Sequence, residues 1–193
     1  MRNTNRIDEY VLLILKYVSN NSGEVEGKTL IQKTIYFVNE KLELGIRFSP
    51  YYYGPYSSDV TAVLAEMKQA GIIEEEVERY PELWMREFES KLFKYRITDF
   101  GQELANIIEI KLEEKANDIK HAVEEIKTAS KNNYKILSIA GKMFSVLKKA
   151  GVPMTVGDII NEAKSLNWNI KKEEAQKSVD LLKELNLVVD PTN

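Results

Sequence analysis

The chain has no cysteine and a single histidine, His121, in 193 residues. Disulfides, thiol catalysis and cysteine-ligated zinc are therefore excluded. No apolar run approaches the roughly 18 residues that a membrane span requires, and the segment Met1-Arg2-Asn3-Thr4-Asn5-Arg6 lacks the apolar stretch of a signal peptide. These absences predict a cytoplasmic protein without membrane contact. Also missing are a GxxxxGKS/T phosphate loop, a GxSxG elbow, an HExxH pair and any ligand cluster with zinc spacing. Glu74, Glu75, Glu76 and Glu78 fall on a strand pattern, where neighbours point to opposite faces and do not converge on one ion. They read as a solubilising edge, and His121 as a solvated residue on a charged helix face. The expectation is a non-enzymatic protein with no metal and no cofactor.

What remains is the composition of a soluble globular chain, 44% hydrophobic and 30% charged. The net charge of −3 is uneven. Residues 1–102 hold 13 basic and 16 acidic side chains, 103–133 hold 5 and 7, and 134–193 hold 9 and 7. Only the last part is basic, and neutralising phosphates supplies most non-specific nucleic-acid affinity.

Ile7, Tyr10, Val11, Ile14, Leu15 and Val18 form one apolar stripe at helical spacing. A second helix is predicted from Lys28 to Leu44, closed by Gly45 in a left-handed conformation. A third starts behind Ser57 or Ser58 and stops at Gly71. Strands follow at 72–78 and 93–98 and pair as a hairpin. Its tip carries Leu83, Trp84 and Met85, which either fold back on their own domain or form a partner-binding surface. Ala105, Ile108, Leu112, Ala116, Ile119, Val123 and Ile126 then make a near-heptad seam. The seam either packs back on the flanking modules or pairs in a homodimer through residues 103–130.

Ser130-Lys131-Asn132-Asn133 marks the next boundary. Beyond it come a helix ending at Gly151, a short helix capped by Thr155 and Asp158, a turn at Asn167-Trp168-Asn169, a helix from Lys171 to Leu185, and a strand beginning at Leu187-Val188-Val189. The fold class expected is mainly α with a small β-hairpin wing. It comprises two winged helix-turn-helix-like modules, 1–102 and 133–193, joined by a long helix at 103–132, the second with a truncated wing.

In such modules the outward helix meets DNA. The third helix of the first module offers Asp59 and Glu66 against Lys68, a poor phosphate grip. In the second module, Lys171, Lys172, Gln176 and Lys177 are the candidate DNA contacts, although an i,i+4 pair of Glu173 with Lys177 would give an ordinary solvated face. The run Tyr51-Tyr52-Tyr53 is read as core and strand packing in preference to base stacking.

Leu30-Ile31-Gln32-Lys33-Thr34-Ile35-Tyr36-Phe37, then Phe48 and Tyr53-Gly54-Pro55-Tyr56-Ser57-Ser58, resembles the Panacea-type antitoxin domain and the related YwgA group over roughly residues 8–105. Gln32, Lys33, Tyr53, Gly54 and Pro55 are the motif residues. The resemblance implies a winged-helix-related domain that, in the antitoxin branch, neutralises toxins by protein contact. It carries no active site, and its motif residues read as structural. The leading expectation is a regulator that binds double-stranded DNA through the second module. The alternative is an antitoxin-like module that binds a protein such as a toxin and no nucleic acid.

Overall fold

A computed structural model describes residues 6–79 and 91–189. Leu83, Trp84 and Met85 lie outside the described residues. The rest is mainly α with small antiparallel sheets. The helices are α1 (Ile7–Val18), α2 (Lys28–Leu42), α3 (Ser58–Gln69), α4 (Asp99–Lys111), α5 (Glu113–Ser130), α6 (Tyr134–Ala150), α7 (Val156–Ser165) and α8 (Lys172–Glu184). The strands are β1 (Glu24–Glu26), β2 (Ser49–Tyr51), β3 (Gly54–Tyr56), β4 (Ile73–Arg79) and β5 (Lys91–Ile97). One sheet has the order β1-β5-β4, and β2-β3 form a separate hairpin.

Two helices are buried nearly all round, which places them at the centre. In α1 the five consecutive residues Val11 to Leu15 are buried, enclosed by α2, α3, α4 and α5. In α2 the run from Ile31 to Val38 is buried, and α5, α6 and β3 pack on it. Such a run leaves no solvent-facing side, so Gln32, Lys33 and Thr34 are carried into the interior with their apolar neighbours.

The seam residues Ala105, Ile108, Leu112, Ala116, Ile119, Val123 and Ile126 are all buried. Their cover comes from the chain itself, since α4 packs on α1 and α5 packs on α1 and α2. The face that suggested a homodimer through 103–130 is thereby occupied. The single long helix is also interrupted: at Leu112 the backbone leaves helical angles (φ −108°, ψ 14°), dividing it into α4 and α5. Its polar face is less solvated than the sequence suggested. Glu109 accepts hydrogen bonds from Lys16 and from the Tyr17 hydroxyl (2.6 Å), and Lys127 donates to the Tyr17 carbonyl (3.1 Å). Those two donors hold the Glu109 carboxyl below the usual range against the opposing effect of burial. His121 is exposed.

Of the expected boundaries, the one near 132 coincides with a turn, whereas residues 102 and 103 both lie within α4. Lys131 and Asn132 have positive φ, and the Asn133 side chain caps α6 by accepting from the amides of Lys135 (3.0 Å) and Ile136 (3.2 Å). The buried apolar residues nevertheless form one continuous cluster from Ile7 to Leu185.

Three local expectations need correction. Helix α2 ends at Leu42 with Glu43 in the left-handed cap (φ 51°), so Gly45 is not its closing residue. Leu187-Val188-Val189 forms no strand, because among the described residues no neighbouring strand offers a ladder. Tyr51 and Tyr52 are not core: they are 60% and 71% exposed. Strand β4 sits at the sheet edge, where Glu74 pairs with Arg96, Glu75 with Lys68 and Glu78 with Lys94.

Candidate nucleic-acid interface

The motif residues Gln32 and Lys33 meet the Tyr53-Gly54-Pro55 turn inside the protein. The Gln32 amide accepts from the Ser57 amide (3.0 Å) and donates to the Ser57 carbonyl (3.0 Å) and the Thr61 hydroxyl (3.1 Å). Lys33, 2% exposed, donates to the Pro55 carbonyl at 2.5 Å. Ser57 in turn caps α3 by accepting from Val60 N (3.2 Å). Gln32 and Lys33, two of the three polar residues that α2 buries, are thus bonded to the end of the hairpin and the start of α3. Leaving a buried backbone amide unpaired would cost about 1–3 kcal/mol.

The other side of the hairpin rests on α6. Ser138, Gly141 and Lys142 share one helix face through their i, i+3, i+4 spacing. The Ser138 hydroxyl donates to the Tyr53 carbonyl (3.0 Å), and a methyl group at Gly141 would lie 3.4 Å from the Pro55 ring. Gly54, at φ +96°, sits against the Lys142 stem. A methyl group there would lie 3.0 Å from Lys142 Cγ and 3.2 Å from the Ser138 carbonyl, so both the angle and the space call for glycine. The last anchor is Trp168, 2% exposed, whose indole donates to the Tyr51 carbonyl at 2.8 Å. Neither the α6 face nor Trp168 was recognised from sequence, where Trp168 is only part of a turn.

Lys142 is 7% exposed and its ammonium lies 5.7 Å from the centre of the Trp168 ring. Burial lowers its pKa from the ordinary lysine value, and Glu174 partly opposes the shift. The folded state therefore binds fewer protons than the unfolded chain between the lowered and the ordinary pKa, so stability rises with pH across that window. Below the lowered pKa the cost of burying the charge is fully present. Lys142→Met, which keeps the apolar stem, should raise the thermal midpoint at pH 7 by a few degrees. The gain should shrink as the pH rises through the lowered pKa, which thermal melts between pH 7 and 10 would show.

This packing fixes Tyr51 and Tyr52 beside the approach to α8. Helix α8 buries Ala175, Ser178, Leu181 and Leu182 and turns the opposite face to solvent. Lys171, Lys172, Gln176 and Lys177 are all exposed. The Glu173 to Lys177 pair is not among the contacts of the described residues and Glu173 is exposed; Glu174 contacts Lys135 (3.2 Å) and the amide of Lys171 (3.4 Å), and Asp180 accepts from the Gln176 amide (3.2 Å). Lys171, Lys172 and Lys177 make no ion pair among the described residues. On the first half, α3 exposes Glu66, and Asp59 lies 3.6 Å from Arg47.

The chain matches no family model and no curated protein. Among the described residues, no helix is long and apolar enough to cross a membrane, and no group of three or more acidic, histidine or cysteine side chains is placed to hold a metal ion.

Proposed function

We propose that the protein is a non-catalytic regulator that binds double-stranded DNA through α8. The observation that carries this reading is the outward face of α8, where Lys171, Lys172 and Lys177, without ion pairs among the described residues, flank Gln176, while Glu174 is drawn to Lys135. Lysines supply phosphate affinity and glutamine can read an adenine edge. Helices α6, α7 and α8 are read as a helix-turn-helix unit with α8 as the groove helix. The first half has the element order α1-β1-α2-β2-β3-α3-β4-β5 and the sheet order β1-β5-β4, which we read as a winged-helix-like unit with the β2-β3 hairpin inserted before α3. Its own outward helix, α3, carries too much acid for phosphate, which is why the DNA contact is assigned to α8.

Fluorescence anisotropy with duplex DNA tests the assignment. The wild-type protein should bind at about 50 mM salt and weaken steeply toward about 200 mM. Replacing Lys171, Lys172 and Lys177 by Glu should abolish binding or reduce its salt slope by roughly 3, near the value expected for three lost phosphate contacts. No salt-dependent binding by the wild-type protein would sink the reading and leave the antitoxin-like protein module as the better account.

A further inference from the structure

The β2-β3 hairpin is held by a large number of buried contacts for an eight-residue segment, yet it delivers two tyrosines to water. Lys33, Ser138 and Trp168 fix its backbone from three separate parts of the chain, and Gln32 holds Ser57 just beyond it. The rings are also restrained. Tyr51 packs on Tyr56 with centroids 5.0 Å apart, and Tyr52 meets the Tyr53 ring edge-on at 4.9 Å. Exposed aromatic side chains whose rotamers are already restricted lose little further entropy on binding. The two-residue turn Tyr52-Tyr53 joins the paired residues Tyr51 and Gly54, so the exposed rings stand at the tip.

The hairpin's neighbours say what chemistry it would meet. Tyr51 is bonded to Trp168, which lies three residues before Lys171, a span of at most about 10 Å of chain. Lys171 and Lys172 are exposed beside the exposed Glu173, and Arg47, two residues before β2, is exposed with its guanidinium 3.6 Å from Asp59. In a chain of net charge −3, this corner combines cations with phenolic hydroxyls, the side-chain donors that meet phosphate oxygens in protein–DNA contacts. The second helical unit has no strand after α8 among the described residues.

We infer that the β2-β3 hairpin is the second DNA-contact element of the α8 surface, with the Tyr51 and Tyr52 hydroxyls donating to backbone phosphates that flank the site of α8. It takes the place of the wing that the C-terminal helices lack, and it is supplied by the first half of the chain. This rests on the reading of α8 as the groove helix.

The test compares wild type, Tyr51→Phe with Tyr52→Phe, and Tyr51→Ala with Tyr52→Ala on the same duplex. Both double variants should bind roughly tenfold more weakly or worse, the effect of two lost hydrogen bonds to charged groups. Their salt slope should stay at the wild-type value, because no cation has been removed. The phenylalanine variant keeps the ring packing, and an unchanged thermal midpoint verifies its fold. If it binds as wild type does while the α8 lysine variant is impaired, the hairpin inference fails and the α8 reading stands. If the wild-type protein binds no duplex, both fall.

Discussion

Gly101→Ala should destabilise the protein by about 3 kcal/mol, at the upper end of what overpacking normally costs. A methyl group at this position would lie 2.1 Å from the Ile72 carbonyl oxygen and 2.8 Å from the Ile97 side chain. The helix cannot step aside easily. Its N-cap, Thr98, donates its backbone amide to the Ile72 carbonyl (3.1 Å) and its hydroxyl to the carbonyls of Gly71 (2.7 Å) and Ile72 (3.1 Å). Any shift that relieves the clash breaks the cap. Helix propensity pulls the other way by up to about 1 kcal/mol for glycine to alanine, and the collision outweighs it. The thermal midpoint should fall by roughly 6–12 °C for a chain of this size. Gly157→Ala is the matched control, since a methyl group there meets only the Thr155 hydroxyl at 3.7 Å; it should leave the midpoint unchanged or raise it. Equal midpoints for Gly101→Ala and wild type would remove this account of the α4 junction.

The second large effect is expected from Gln32→Glu, a near-isosteric change at a site 2% exposed. An ionised carboxylate still accepts from the Ser57 amide, but it has no hydrogen for the Ser57 carbonyl or the Thr61 hydroxyl oxygen and places its charge beside a carbonyl oxygen. The loss at pH 7 should be about 3–5 kcal/mol, the range for an uncompensated buried charge. Burial raises the new carboxyl's pKa above its unfolded value near 4.3. The protonated acid is therefore favoured in the fold, and the penalty present at pH 7 declines as the pH falls through the raised pKa. Urea midpoints of the variant relative to wild type at pH 7 and pH 4.5 would show it. A deficit that is the same at both pH values would mean that Gln32 is not the polar bracket described above.

How much of this was legible beforehand depended on distance along the chain. The starts of α3 at Ser57 and of α7 at Thr155 were readable because a cap and the amide it accepts lie three residues apart. The apolar stripe of α1 and the seam of α4 and α5 were equally plain, since periodicity is local. The partner of that seam was not, because nothing in residues 103–130 says that α1 will cover them. Gln32, Lys33 and the Gly54-Pro55 turn were recognised as a motif, and the turn was read as structural. Their joining across 22 to 25 residues became visible only in three dimensions. The α6 face of Ser138, Gly141 and Lys142 and the Trp168 anchor lie still farther from the hairpin, and their own surroundings give no sign of it. Tyr51 and Tyr52 misled for a related reason. Aromatic residues favour strands, but Tyr51 ends a three-residue strand that is exposed along its length, and Tyr52 lies in the two-residue turn beyond it. The candidate residues named on α8 are exposed, and sequence alone could not show which charges of that helix pair with neighbours.

The indole of Trp168 and the carbonyl of Tyr51 are separated by 117 residues. During synthesis the hairpin therefore waits for most of the chain before its final tether exists, and the first hundred residues cannot complete their own surface in isolation. The aromatic corner is in that sense a late checkpoint: it is assembled only on a molecule whose far end has already arrived.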